Sequence, residues 1–185
     1  MKNVKLNNTL KTAIMAMLTA LSIVSLYVIR MPLIPAAPFL EYDAADISVL
    51  IGSMLLGPVH GMVILLAVCL IQALTVSASS GWIGFVMHFA ASGVLVLISS
   101  NIYKKKKNSK SLVAGLAAGS LAMVIAMIPL NLIFTGIFLG AGTQAVVQML
   151  IPAILPFNIL KAVINSVATF AIYTPISKVL KKYVK

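Results

Sequence analysis

Residues 151–168 read Ile151-Pro-Ala-Ile-Leu-Pro-Phe-Asn-Ile-Leu-Lys161-Ala-Val-Ile-Asn-Ser-Val-Ala168, an apolar run suited to a lipid core that carries an ammonium in its middle. A cation at that depth costs about 2.5–3.5 kcal/mol on insertion scales, so it is by default a functional feature. Asn158 and Asn165 stand at i−3 and i+4 from Lys161, which places all three on one face of a helix. That face is expected to point into a pocket.

Composition sets the solvent. The chain has 185 residues, 61% hydrophobic and 9% charged, with a mean hydropathy of +1.10. A soluble domain of this size cannot hide that much apolar surface, so the chain is read as an all-α integral membrane protein with little outside the lipid. The net charge of +11 would suit nucleic acid, but its placement does not. Lys2, Lys5 and Lys11 precede the first apolar run; Lys104 to Lys107 and Lys110 form one loop; Lys178, Lys181, Lys182 and Lys185 end the chain. Twelve of fourteen basic residues thus mark membrane edges, leaving Arg30 and Lys161, and no nucleic-acid partner is expected.

Helices are expected at about 9–29, 44–56, 59–76, 82–103, 111–134 and 152–178, within a single membrane domain spanning 1–185. Arg30-Met-Pro32 ends the first, Pro35 and Pro38 hold the next segment extended, and Gly57-Pro58 divides the second from the third. Residues 135–149, rich in glycine, read as a connection. Fusing the second and third helices would give five crossings and put the lysine loop opposite the basic amino terminus. Six crossings gather all three basic clusters on one side, which selects a six-helix bundle with both termini cytoplasmic. The first helix lacks a small-residue cleavage site and is read as retained, and Cys69 has no disulfide partner.

All three acidic residues, Glu41, Asp43 and Asp46, enter the second helix together. Asp43 reads as an N-cap with Asp46 three positions on. A metal-binding Asp-x-x-Asp pair lacks histidine or further carboxylate support, and a ligand-facing loop is the other reading. Gln72, His88, Asn131, Asn158 and Lys161 come from four helices at matching depth, where interhelical hydrogen bonding competes with ligand binding. Trp82, Phe85, Phe39, Tyr42 and Phe157 could add stacking faces for a small, flat, partly polar molecule. Ala13, Ala16 and Ala20 form a small-residue stripe on the first helix, and Gly57-xxx-Gly61 and Gly115-xxx-Gly119 are further close-packing motifs. No nucleotide loop, no HExxH and no carboxylate within helices 3 to 6 is present, so no catalytic residue is assigned and any energy for uphill movement must come from another chain.

This layout resembles the substrate-binding S components of energy-coupling factor (ECF) vitamin transporters, in its six short helices, its lysine loop and its alanine stripe. Within that family it is most similar to riboflavin-specific members, through Phe39-Leu-Glu-Tyr-Asp-Ala-Ala-Asp-Ile-Ser-Val-Leu-Ile-Gly52, Leu56-Gly-Pro58 and Pro156-Phe-Asn-Ile-Leu-Lys161. Ser48 and His88 depart from the pattern. The resemblance implies that Asn158 and Lys161 contact the flavin ring, that Asn131 joins them and that residues around Leu40 help close the site. It also implies a bacterial cytoplasmic membrane, two ATPase subunits and a T subunit that grips Ala13, Ala16 and Ala20, with riboflavin as cargo and no cofactor. Against it stand an S component for another vitamin or precursor, a stand-alone channel lined by Lys161, and an intramembrane enzyme using Asp43 and Asp46.

Overall fold

The computed structural model describes residues 7–183, with side chains as far as residue 179. Lys2, Lys5 and Lys185, and the side chains of Lys181 and Lys182, lie outside the described residues, so part of the basic-edge reading is not visible in it. The elements are α1 (Asn8–Val28), β1 (Arg30–Pro32), β2 (Glu41–Asp43), α2 (Ala45–Leu56), α3 (Pro58–Leu74), α4 (Gly81–Lys106), α5 (Ser109–Leu139), α6 (Thr143–Met149) and α7 (Leu155–Tyr183). A π-helical turn, Leu150–Ile154, joins α6 to α7 into one rod.

Four rods are long and apolar enough to cross a membrane: Asn8–Val28, Gly81–Lys106, Ser109–Leu139 and Thr143–Val179. The remaining two are shorter. At 1.5 Å per residue α2 is about 18 Å long and α3 about 25 Å, against a hydrocarbon core of about 30 Å. Their shortness is tolerable for α2 because it is the inner helix. Nine of its twelve residues are buried, and it packs on α1, α3, α4 and α7.

Three expectations are corrected. The segment before α2 is not simply extended: β1 and β2 pair antiparallel, with Arg30 opposite Asp43 and Pro32 opposite Glu41. Arg30 spans this hairpin to Glu41, and its other nitrogen donates to the Val76 carbonyl at 2.7 Å, tying the hairpin to the end of α3. Residues 135–149 are not a loose connection. α5 runs on to Leu139, Gly140 turns the chain with a φ of +60°, and α6 follows. The last rod therefore starts at Thr143 rather than Pro152. Pro152 lacks the backbone donor that an α-turn needs, and the chain widens into a π turn there without breaking.

Local sequence explains two of the helix boundaries. Asn108 accepts from the Ser111 N–H at 2.7 Å and Ser111 Oγ accepts from the Asn108 N–H at 3.2 Å, a reciprocal cap that starts α5. Gly57, with φ +100°, makes the α2–α3 junction that side chains rarely allow. Of the two glycine motifs, Gly115-xxx-Gly119 is used inside the bundle at both positions, whereas in the other only Gly61 packs closely, on Ser53 and Val96, and Gly57 has open space around it. A Cβ at Gly115 would fall 2.6 Å from the Ser99 carbonyl oxygen, and one at Gly119 would fall 2.8 Å from that of Leu95. The alanine stripe does the opposite, with Ala13, Ala16 and Ala20 exposed.

Because α4 and α5 meet backbone to backbone at those glycines, Gly119→Leu is expected to cost about 1–3 kcal/mol through overpacking. Thermal unfolding in detergent should show a lowered midpoint for it and almost none for Gly142→Ala, a position with open space around it. An unchanged midpoint for Gly119→Leu would show that the two helices do not touch there.

Candidate functional site

Lys161 does not snorkel to an interface. It is 8% exposed on α7, and its ammonium lies 3.2 Å from Asp43 Oδ2 and 3.9 Å from Asp46 Oδ2. The sequence placed two amides on the face of this cation, and the structure adds two carboxylates that hold it. Asp43 is also not the N-cap of α2. That position is Ala44, which makes no side-chain cap, while Asp43 Oδ1 accepts from the Ala45 N–H at 3.2 Å and its other oxygen faces Lys161.

Asp46 sits in the first turn of α2, 1% exposed, and collects donors from α4 and α7. His88 Nε2 on α4 lies 3.0 Å from its Oδ1; Ser92 Oγ donates to Oδ2 at 2.9 Å, and Asn165 Nδ2 on α7 at 3.4 Å. His88 Nδ1 lies 2.7 Å from Gln72 Oε1 on α3, and Gln72 Nε2 donates to Ser77 Oγ at 3.3 Å. The Tyr42 hydroxyl donates to Asn165 Oδ1 at 3.0 Å. Burial pushes the Tyr42 phenol above its ordinary value, with Lys161 opposing and Asp43 and Asp46 adding to the rise, so it stays an O–H donor. Every charged atom of the cluster has a partner, as buried charge requires.

A cavity of about 180 Å³ opens beside this cluster at the hairpin end of the bundle. Six of the eight ligand-contact candidates line it: Leu40, Gln72, His88, Asn131, Asn158 and Lys161. The other two do not. Trp82 is 62% exposed at the start of α4, edge-on to Phe134 of α5 at 6.0 Å. Asn165 is one turn below Lys161, fully buried and committed to Tyr42 and Asp46. Among the other aromatics Phe39 and Phe157 reach the cavity, with Phe138 joining them, while Phe85 stacks on Phe89.

The amides differ in what they have left to give. Asn131 Nδ2 donates to the Met127 carbonyl at 2.7 Å and its Oδ1 accepts from Thr135 at 2.8 Å. Asn158 Nδ2 donates to the Ile154 carbonyl at 2.7 Å, but its Oδ1 is buried without a partner. An unpaired buried acceptor costs about 1–3 kcal/mol, so its presence at a cavity wall marks a place for a donor from outside the chain. The pairing of Asp43 and Asp46 with Lys161 escaped the sequence reading. Its signal was arithmetic: one cation in the middle of an apolar run, and all three acidic side chains gathered in a six-residue stretch.

Residues 10–173 match the family described as the substrate-specific component of ECF transporters. The chain is 34% identical over 189 residues to the riboflavin transporter RibU of Streptococcus thermophilus, covering 98% of this chain and 89% of that one. It is 28% identical to RibU of Staphylococcus aureus, over 97% of this chain and 96% of that one. A solved structure described as the S component of a bacterial ECF transporter superposes with a TM-score of 0.81 at 28% identity, covering 95% of this chain and 99% of that one.

Removing one partner of a buried ion pair strands the other, at about 3–5 kcal/mol. Lys161→Met should therefore lower the ligand-free unfolding midpoint strongly, and Lys161→Met combined with Asp43→Asn should recover part of the loss. Equal stability of the single and double variants would show that the ammonium and Asp43 do not compensate one another.

Proposed function

Since the chain belongs to the substrate-specific components of ECF transporters, we propose that the cavity beside Lys161 binds riboflavin for uptake, with energy supplied by separate T and ATPase subunits. Support comes from the two RibU relatives and, within the chain, from the single unpaired acceptor at the cavity wall, Asn158 Oδ1. A flavin ring is flat and apolar on its faces, with carbonyls, ring nitrogens and one imide N–H along an edge. Phe39, Phe138, Phe157 and the methionines Met87, Met123 and Met127 offer matching apolar walls. Asn158 Oδ1 would accept from the imide, and Lys161 and Asn131 would face the carbonyls.

Ligand sites are commonly about 300–1,000 Å³. The cavity is smaller than that, so admission requires movement at its rim, where Phe39 and Leu40 precede β2 and Phe138 ends α5. These lie outside the ion cluster and can shift without separating its charges. The same reading places six crossings in a bacterial plasma membrane with both chain ends cytoplasmic, makes the protein a binding subunit without catalysis, and assigns the exposed Ala13, Ala16 and Ala20 to the T subunit.

Purified protein should quench riboflavin fluorescence on binding. Asn158→Ala should weaken the affinity by about 1–3 kcal/mol, or roughly 5- to 150-fold, and Trp82→Phe should leave it unchanged. Absence of quenching, with another small molecule copurifying by mass spectrometry, would transfer the site to that cargo. Replacing Ala16 and Ala20 with tryptophan should leave riboflavin affinity intact and abolish ATP-driven uptake once the partner subunits are supplied. Unimpaired uptake would exclude the stripe as the docking face.

A further inference from the structure

A second cavity, of about 330 Å³, lies at the opposite end of the bundle, lined among others by Lys11 at the start of α1, His60 near the start of α3, and Lys104 and Lys107 at the end of α4. Lys11 and Lys107 are half-buried. The chain has three acidic side chains in all, Glu41, Asp43 and Asp46, and every one is engaged at the hairpin end, by Arg30, Lys161 or His88. No carboxylate side chain of this protein can therefore neutralise the second cavity.

Part of this charge has a local explanation, because Lys104, Lys105 and Lys106 in the last turn of α4 offset the negative end of its dipole. That does not explain why Lys11 and His60, from two other helices, converge on the same space. The start of α3 adds backbone donors, although the negative end of α2, closed by the same Gly57, opposes its dipole. It is capped by Gly57 without a side-chain hydrogen bond and has proline in its first turn. Lys107 is also the one non-glycine residue with positive φ among those described, at +47°, an unfavourable conformation for lysine. The remaining wall is apolar, with Met54, Leu55 and Leu56, and Val59 is 71% exposed beside them.

We infer that this cavity binds a phosphate group, and that the group belongs to the headgroup of an anionic phospholipid. Lysines and free backbone N–H groups recognise the phosphate, and the apolar wall with Val59 accepts the adjoining glycerol and acyl chain. A free phosphate shares the first chemistry and not the second. The inference rests on the charge placement and apolar wall of this cavity and does not depend on which solute the other cavity holds.

Native mass spectrometry of the purified full chain, titrated with dioleoylphosphatidylglycerol or dioleoylphosphatidylcholine, tests it. Lys11→Gln and Lys107→Gln should each weaken phosphatidylglycerol binding about fivefold. The triple variant Lys11→Gln/Lys104→Gln/Lys107→Gln should lose at least about tenfold. A control with the same loss of charge outside the cavity, Lys105→Gln/Lys106→Gln/Lys110→Gln, should stay within about twofold of the parent. Unfolding midpoints report whether the triples are folded, and the single variants carry the test if the cavity triple is not. Stabilisation by inorganic phosphate without retention of phosphatidylglycerol would overturn the lipid source. Equal losses in the two triples, or equal binding of the two lipids, would overturn the site.

Discussion

An ammonium buried in the lipid-facing bundle must find negative charge, because burial strips it of most of its hydration. Lys161 meets this requirement through Asp43 and Asp46, and the architecture at the hairpin end follows from that pairing. To bring two carboxylates to the depth of Lys161, α2 has to begin well inside the bundle, and it is accordingly the shortest of the rods. The chain must then descend from the end of α1 to that depth. It does so as the β1–β2 hairpin, anchored through Arg30 to Glu41 and to the end of α3.

The same pairing defines what the neighbouring cavity offers. With its charge largely compensated by carboxylates, Lys161 presents a donor rather than an unbalanced cation. The groups with spare hydrogen-bonding capacity are neutral amides, foremost the Asn158 acceptor. A wall of amides, a compensated ammonium, phenylalanines and methionines suits an uncharged molecule with a polar edge. An anionic ligand would bring a third negative charge beside Asp43 and Asp46.

Much of this was legible in the sequence because it rests on single-residue costs. Lysines at membrane edges, Gly57-Pro58 as a junction and a lysine inside a span each carry a strong energetic preference, and the helices appear where those preferences put them. The expectation for 135–149 failed because glycine is a weak guide in lipid, where backbone groups have no alternative to helical hydrogen bonds; Gly136 sits inside α5 and only Gly140 turns the chain. Trp82 and Asn165 lie away from the cavity wall for another reason. Depth along a helix can be counted from the sequence, but the direction of a side chain depends on which neighbours the helix acquires. The Asp43 and Asp46 roles were hidden by proximity to a helix start, where acidic residues already have a sufficient local explanation.

The ion cluster also bears on how such a subunit moves its cargo. Its members lie on the hairpin, α2, α4 and α7, and Gln72 extends it to α3. An alternating-access motion that parted these rods would break buried charge pairs at about 3–5 kcal/mol each and expose the remnants to lipid. Tilting the whole bundle breaks none of them. The physical cost therefore favours a body that moves as one unit, with local opening confined to the rim around Phe39, Leu40 and Phe138. The alanine face of α1 lies on the outside of this body, with Ala13, Ala16 and Ala20 exposed. On its inner side, Ser22 of the same helix donates to the Ala45 carbonyl at 3.0 Å, joining that face to the residue preceding Asp46.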